Sequence, residues 1–124
     1  MEENCQVETG LEILAGKWKP IILFHLFSNG TMRFSELQRA LPEITKKMLT
    51  SQLRELETQD IIHREVYRQI PPKVEYSITE HGQNILPVLQ AINVWGQAHV
   101  KHLAKLRSEE PADRMMAGTG AAGK

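Results

Sequence analysis

The order of the periodic segments in the middle of the chain restricts the fold more than any other feature of the sequence. Apolar residues recur at helical spacing in 35–41, Pro42 interrupts the pattern, and a second helical segment follows in 45–57. Beyond Asp60, apolar and polar residues broadly alternate in two short stretches that flank Pro71-Pro72. Two helices joined by a short link and followed by a hairpin form the winged helix-turn-helix arrangement. The sequence therefore predicts an α+β fold that is mainly α.

Local residues predict where the central helices begin and how the hairpin turns. Ser35 is followed three residues later by Gln38, which is a capping-box pattern, and Thr45 suits the N-cap of the second helix. We expect a tight link of about three or four residues between the two helices. In the hairpin, the two prolines stiffen the turn and leave Arg68 and Lys73 at or near its tip.

Further helices are predicted on both sides of this centre. One begins at Glu8. Another runs over 19–27 and is apolar almost all round, so we expect it to be buried at the centre of the domain. A long final helix is predicted to begin at Thr79, and Pro87 either kinks it or marks a restart.

The length and composition suit one folded domain in a reducing compartment. The chain has 124 residues, of which 41% are apolar and 24% are charged, and this is enough for one hydrophobic core. We assign 1–107 to this domain and predict that 108–124, which has no periodic apolar pattern, is a disordered tail. No apolar run approaches the ~18 residues that span a bilayer. Because a single cysteine cannot form an internal disulfide, the sequence favours a cytoplasmic protein.

Charge gives opposite indications at the level of the whole chain and of one helix. The 15 basic residues are balanced by 15 acidic ones, whereas nucleic-acid binders are usually basic. Contact depends on local charge, however, and one side of the helix in 45–57 carries two cations and two hydroxyls: Lys47, Thr50, Ser51 and Arg54. Such a face can contact phosphates and base edges, and the alternative is an ordinary solvated surface helix.

The candidate DNA contacts lie on the helix-turn-helix and on the hairpin. Lys46 lies at the flank of the helix and is assigned to phosphate, Thr50 and Ser51 to bases, and Arg54 to either. The hairpin cations are assigned to the backbone or the minor groove. The start of the preceding helix is assigned to phosphate, with helix capping as the alternative role of Ser35. The full predicted set is Arg33, Ser35, Thr45, Lys46, Lys47, Thr50, Ser51, Arg54, Arg64, Arg68 and Lys73.

Several runs of residues, standing in this order over roughly 5–103, resemble a known family: Gly16-Lys17-Trp18-Lys19, Arg33-Phe34-Ser35-Glu36-Leu37, Lys47-Met48-Leu49-Thr50, Leu53-Arg54-Glu55-Leu56, Pro71-Pro72-Lys73-Val74-Glu75-Tyr76 and Trp95-Gly96. They are similar to the HxlR-type transcriptional regulators, which are bacterial winged-helix proteins allied to the MarR group. The resemblance implies a homodimer, joined through its N-terminal and long C-terminal helices, that binds a double-stranded DNA operator. Paired recognition helices predict a palindromic operator. The chain departs from the family at Glu43, where the turn often has glycine.

Cys5 stands where several members of that family carry a cysteine that senses oxidants, quinones or aldehydes. On this interpretation the thiolate of Cys5 is exposed and reacts with a small electrophile or oxidant. The alternative is a small apolar residue at a dimer interface. Because the chain has no second cysteine, a disulfide between protein chains would join two subunits.

Other function classes find less support in the sequence. We expect no enzyme activity and no cofactor, because the chain has no nucleophile elbow, no Gly-rich phosphate loop and no metal tetrad. His99 and His102 could share a metal with His81 or Cys5, but histidines at this helical spacing without nearby carboxylates are typical of a surface. The main alternative to a DNA-binding regulator is a winged helix that binds proteins.

Overall fold

The computed structural model describes residues 6–14 and 16–109. These residues form a mainly helical α+β fold, in agreement with the prediction. The elements in chain order are α1 (Val7–Leu14), α2 (Trp18–Asn29), β1 (Met32–Arg33), α3 (Phe34–Ala40), α4 (Lys46–Thr58), β2 (Ile62–Tyr67), β3 (Lys73–Ile78), a 3-10 turn (Gly82–Ile85) and α5 (Leu86–Ser108). None of the helices in the described ranges is long and apolar enough to cross a membrane.

The chain divides into two compact units, and the division falls inside α5, between Leu89 and Gln90. The first unit contains the hydrophobic core, and the core is built around the inner side of α4. Leu49, Leu53 and Leu56 are all buried, as their helical spacing predicts. Burying the three leucines on one side leaves the opposite side of α4 to solvent.

Helix α2 is less completely buried than its sequence suggests. Ile22, Leu23 and Leu26 lie in the core, but Phe24 on the other side of the helix is 46% exposed. The prediction of a helix buried all round was therefore wrong. The physical reason is that a small domain covers only one side of this helix, and apolar composition alone does not say which side.

The sheet has the order β1-β3-β2 and is antiparallel throughout. Ile62 lies opposite Ile78 at the base of the hairpin, and Met32 of β1 lies opposite Tyr76. Since side chains alternate along a strand, Ile62 and Tyr76 are on the same, core-facing side of the sheet, and both are buried. The base of the hairpin is thereby fixed to the domain.

The starts of the two central helices agree with the prediction at α4 and differ at α3. The Thr45 hydroxyl accepts a hydrogen bond from the Met48 backbone N–H at 3.0 Å, which confirms Thr45 as the N-cap of α4. Helix α3, however, starts at Phe34 and not at Ser35. The Glu36 carboxylate accepts the Arg33 backbone N–H at 2.8 Å, so the capping pair lies two residues before the predicted one.

The link between α3 and α4 comprises residues 41–45 and is slightly longer than predicted. Leu41 and Ile44 are buried in the core, so the link is part of the packing. Glu43 between them is exposed, and its carboxylate lies 3.4 Å from the Lys17 Nζ. A longer link with two buried residues still gives the helix-turn-helix its geometry.

The final helix begins later than predicted. The Thr79 hydroxyl accepts the Gly82 N–H at 2.8 Å and starts a 3-10 turn, and α5 starts only at Leu86. Pro87 thus lies in the first turn of a new helix, where its missing N–H costs nothing, so the chain restarts and does not kink. Helix α5 continues to Ser108, and the predicted tail from residue 110 onward lies outside the described residues.

Candidate nucleic-acid interface

The solvent side of α4 carries an exposed row of polar side chains. Lys47, Ser51 and Arg54 are exposed, and Thr50 is half-buried. Lys46 is exposed at the flank of the same helix. Among the residues that the structure describes, no carboxylate lies within ion-pairing distance of these three cations. Their charge is therefore available to an anion outside the chain.

One edge of this row borders a groove of about 370 Å³ between α4 and the hairpin. Arg64 lies opposite Tyr76 in the ladder and shares the inner face of the hairpin with it. The groove thus brings together three of the predicted site residues, which are Thr50, Arg54 and Arg64. It also contains four residues that we did not predict: Phe34, Glu57, Val74 and Tyr76.

Glu57 is the unpredicted member with the clearest chemical meaning. It lies three residues after Arg54 on α4, so helical spacing could have indicated that both reach the same groove. Its carboxylate repels phosphate, and it can accept a hydrogen bond from a cytosine amino group. The hairpin-side groove is thus mixed in charge and is not a uniform phosphate-binding surface.

The other edge of the row borders a second groove, of about 530 Å³, between α1 and α4. Ser51 lines this groove and not the hairpin-side one, so the adjacent hydroxyls of Thr50 and Ser51 point to opposite edges. Arg54 lines both grooves and lies between them. On this edge, Glu55 forms an ion pair with Lys19 of α2, which removes its charge from competition for Arg54.

The outer face of the hairpin consumes one of the predicted cations. Lys73 lies in β3 opposite Tyr67, and its Nζ is 3.4 Å from the Glu75 carboxylate and 4.4 Å from the centre of the Tyr67 ring. The negative charge of Glu75 also raises the pKa of Tyr67 above its ordinary value of 10.0. Arg68, by contrast, is exposed in the turn and has no ion-pair partner in the described part of the chain. The two cations are therefore not equivalent.

The remaining predicted residues differ in how much of their bonding capacity is left for a ligand. Arg33 is exposed beside the start of α3, and Ser35 is exposed in its first turn, where backbone N–H groups favour anions. The Thr45 hydroxyl is engaged as the cap of α4. Cys5 lies outside the described residues.

The histidines of the second unit show no arrangement typical of a metal site. The His99 ring stacks on the Trp95 ring, with 4.7 Å between their centres. Within 6–14 and 16–109, no three His, Cys, Asp or Glu side chains come together as metal ligands. The structure thus gives the metal alternative for His99 and His102 no support.

A capped helix-turn-helix beside an antiparallel hairpin defines a winged helix-turn-helix protein. The chain belongs to the HxlR-like helix-turn-helix family, whose model matches residues 13–104. It is a transcriptional regulator of the helix-turn-helix type, which confirms the resemblance seen in the sequence. Its relatives are named transcriptional regulators and not enzymes, which also confirms that expectation.

Proteins similar to this chain are known as sequences and as structures. YdeP, an uncharacterized HTH-type transcriptional regulator of Bacillus subtilis (strain 168), is 50% identical over 111 residues, which are 90% of this chain and 86% of YdeP. The redox regulator HypR in its reduced form is 46% identical, with a TM-score of 0.77 over 82% of this chain and 99% of HypR. The oxidized form of HypR is 50% identical, with a TM-score of 0.71 over 76% of this chain and 96% of HypR.

Proposed function

We propose that residues 1–107 act as a homodimeric regulator that binds a palindromic double-stranded DNA operator with α4 in the major groove. The observation that carries this proposal is the partner-free state of Lys46, Lys47 and Arg54 on the solvent side of α4. In a chain of zero net charge, a cationic surface requires that nearby carboxylates be occupied elsewhere. Lys19 occupies Glu55 in this way.

The residues divide into those that position the protein and those that read sequence. Lys46 and Lys47 contact phosphates at the edge of the groove, and Arg33 and Ser35 do the same from the start of α3. The hydroxyls of Thr50 and Ser51 and the guanidinium of Arg54 reach base edges, as listed for the major groove in general. On the hairpin, Arg64 and Arg68 contact the backbone or the minor groove. Thr45 contributes through its cap, and Lys73 contributes least because Glu75 holds it.

The dimer rests on an observation in the second unit. Ile92, Trp95 and Val100 of α5 are each at least half exposed, and a shallow apolar groove runs beside Ile92 and Val100. An apolar surface of this kind on a helix is typical of an interface, and a second copy of the same chain would cover it symmetrically. Twofold symmetry would place two α4 helices in successive major grooves, ~34 Å apart.

The dimer is tested by one substitution on this surface and one beside it. Trp95→Glu should shift the protein from dimer to monomer in sedimentation, because it places a charge in the apolar contact. Gln90→Glu adds the same charge elsewhere on α5 and should leave the dimer intact. A Trp95→Glu protein that stays dimeric at micromolar concentration would exclude this surface as the interface.

DNA binding is tested by selecting bound duplexes from a genomic library and then measuring affinity against salt. A phosphate-binding protein gives a steep negative slope of log affinity against log salt, and a protein-interaction module gives a flat one or no binding. Arg54→Ala should weaken operator binding by ~1–3 kcal/mol if a base contact is lost. Lys47→Ala should reduce the slope by ~0.9 for one lost phosphate contact.

Lys73→Ala is the matched control, because it removes one positive charge that Glu75 already neutralises. We expect it to change affinity and slope much less than Lys47→Ala. Equal effects of the two lysine substitutions would show that only the overall charge matters. Unchanged affinity in both Lys47→Ala and Arg54→Ala at matched salt would refute the role of this face of α4.

We also propose that an oxidant or a small electrophile regulates this protein in the cytoplasm through Cys5. The support is the name of HypR, a redox regulator solved in both oxidation states, and the family position of Cys5. Diamide, which takes up the two thiol hydrogens as the disulfide forms, should lower operator affinity and link two subunits through Cys5. Cys5→Ser should abolish both effects. An equally responsive Cys5→Ser protein would end this proposal without affecting DNA binding.

A further inference from the structure

The turn of the hairpin carries an apolar tip that has no role in the fold. Ile70 is 100% exposed, and Pro71 and Pro72 beside it are exposed as well. A wholly exposed isoleucine contributes nothing to the hydrophobic core, so its side chain does not stabilise the domain. We call these three residues, Ile70-Pro71-Pro72, the apolar tip.

The stem that carries the apolar tip is stiff. Tyr67 pairs with Lys73 in the last rung of the ladder, and the Lys73 ammonium lies 4.4 Å above the centre of the Tyr67 ring. The same ammonium is 3.4 Å from the Glu75 carboxylate, which joins both strands through side chains as well as backbone. Each proline also fixes its own φ angle. A tip held in this way loses little conformational entropy when it inserts into a partner.

Charge and reach both indicate DNA as the partner. The turn in 68–72 contains Arg68 and no carboxylate, and an arginine is attracted to the negative potential of a narrow minor groove. Arg64 lines the groove beside α4, and a strand rises ~3.3 Å per residue, so Tyr67 lies ~10 Å further out and the apolar tip beyond it. Half a helical turn of DNA, which separates a major groove from the next minor groove, is ~17 Å.

We propose that the apolar tip enters the minor groove beside the α4 site, that Ile70 wedges into a base step, and that Arg68 anchors it on the groove. Apolar side chains that enter the minor groove partly unstack a step and bend the duplex towards the major groove. The operator should then contain a flexible pyrimidine–purine step at each of two symmetric positions. This inference rests on the proposed function, because it names a second part of the same DNA site.

The experiment uses the full chain and the duplex selected as its operator. We place 2-aminopurine, whose fluorescence rises on unstacking, at successive steps outside the α4 half-sites, and we measure bending by energy transfer between the duplex ends. Ile70→Ser removes the wedge and Ile70→Leu keeps an apolar side chain of the same size. Both variants should melt like the original protein, because residue 70 is fully exposed.

We expect a fluorescence rise at one symmetric pair of steps and a measurable bend with the original protein and with Ile70→Leu. Ile70→Ser should lose both signals and bind roughly tenfold more weakly, with an unchanged salt slope, because it loses apolar contact and no charge. Arg68→Ala should lower the slope by ~0.9.

Two outcomes would overturn the wedge, and they differ from failure of the proposed function. If Ile70→Ser keeps the bend and the fluorescence rise, Ile70 is not the wedge, although operator binding stands. If the original protein binds its operator with no bend and no unstacked step, no wedge exists at all. Absence of any duplex binding by the original protein would instead refute the proposed function, and the wedge with it.

Discussion

Gly82 is the position where the structure predicts the sharpest response to one added methyl group. A Cβ at Gly82 would lie 2.2 Å from the backbone carbonyl oxygen of Ile61 and 3.0 Å from the Ile78 side chain. Real Cβ contacts essentially never fall below 3.0 Å, so the 3-10 turn and Ile61 must move apart by roughly 0.8 Å. Glycine is required here by this close approach of two backbones and not by its φ angle.

The cost of Gly82→Ala follows from what the Ile61 carbonyl already does. It accepts the Thr79 N–H at 3.0 Å and the Thr79 hydroxyl at 3.2 Å, so a shift of this size strains two hydrogen bonds. Overpacking against a fixed backbone costs ~1–3 kcal/mol, and each weakened hydrogen bond adds ~0.5–1.5 kcal/mol. We therefore expect Gly82→Ala to reduce the free energy of unfolding by roughly 2–4 kcal/mol.

Equilibrium unfolding in urea measures this loss, at one protein concentration because a dimer's stability depends on concentration. Gly10→Ala is the matched control, since a Cβ at Gly10 in α1 meets nothing within 4 Å. There the substitution should be neutral or stabilise by up to ~1 kcal/mol, because alanine is the better helix former. If Gly82→Ala unfolds at the same urea concentration as Gly10→Ala, the close packing of the 3-10 turn on Ile61 is refuted.

Three further substitutions test local features of the first unit. Thr45→Ala should cost ~1 kcal/mol in urea unfolding, because α4 loses its cap, and Thr45→Ser should restore most of it. Leu23→Ala should cost ~2–5 kcal/mol, whereas Phe24→Ala on the exposed side of α2 should cost far less, and equal costs would contradict the observed orientation of the helix. Glu75→Gln should lower the pKa of Tyr67 towards 10.0 in an ultraviolet titration, because the carboxylate that disfavours the tyrosinate is gone; Tyr67→Phe identifies the signal.

Periodicity predicted those parts of the fold that depend on local sequence. The three leucines of α4 are buried because their spacing puts them on one side, and this also leaves Lys47 and Arg54 exposed. Prediction failed where several segments compete for the same role. Ser35 has a good capping sequence, but pairing of β1 with β3 holds Arg33 extended and α3 begins directly after it.

The sequence by itself determined the class of fold and the cationic side of α4, because helical and strand periods are properties of neighbouring residues. Only the tertiary structure decided which cations keep a free charge. Lys73 and Arg68 look alike in the sequence, yet Lys73 is held by Glu75 across the face of a strand, and Arg68 is not. Likewise, Arg64 reaches Arg54 and Glu57 only because the ladder register turns its side of the hairpin towards α4. Charge pairing and register depend on residues far apart in the chain, and their distances exist only in the folded molecule.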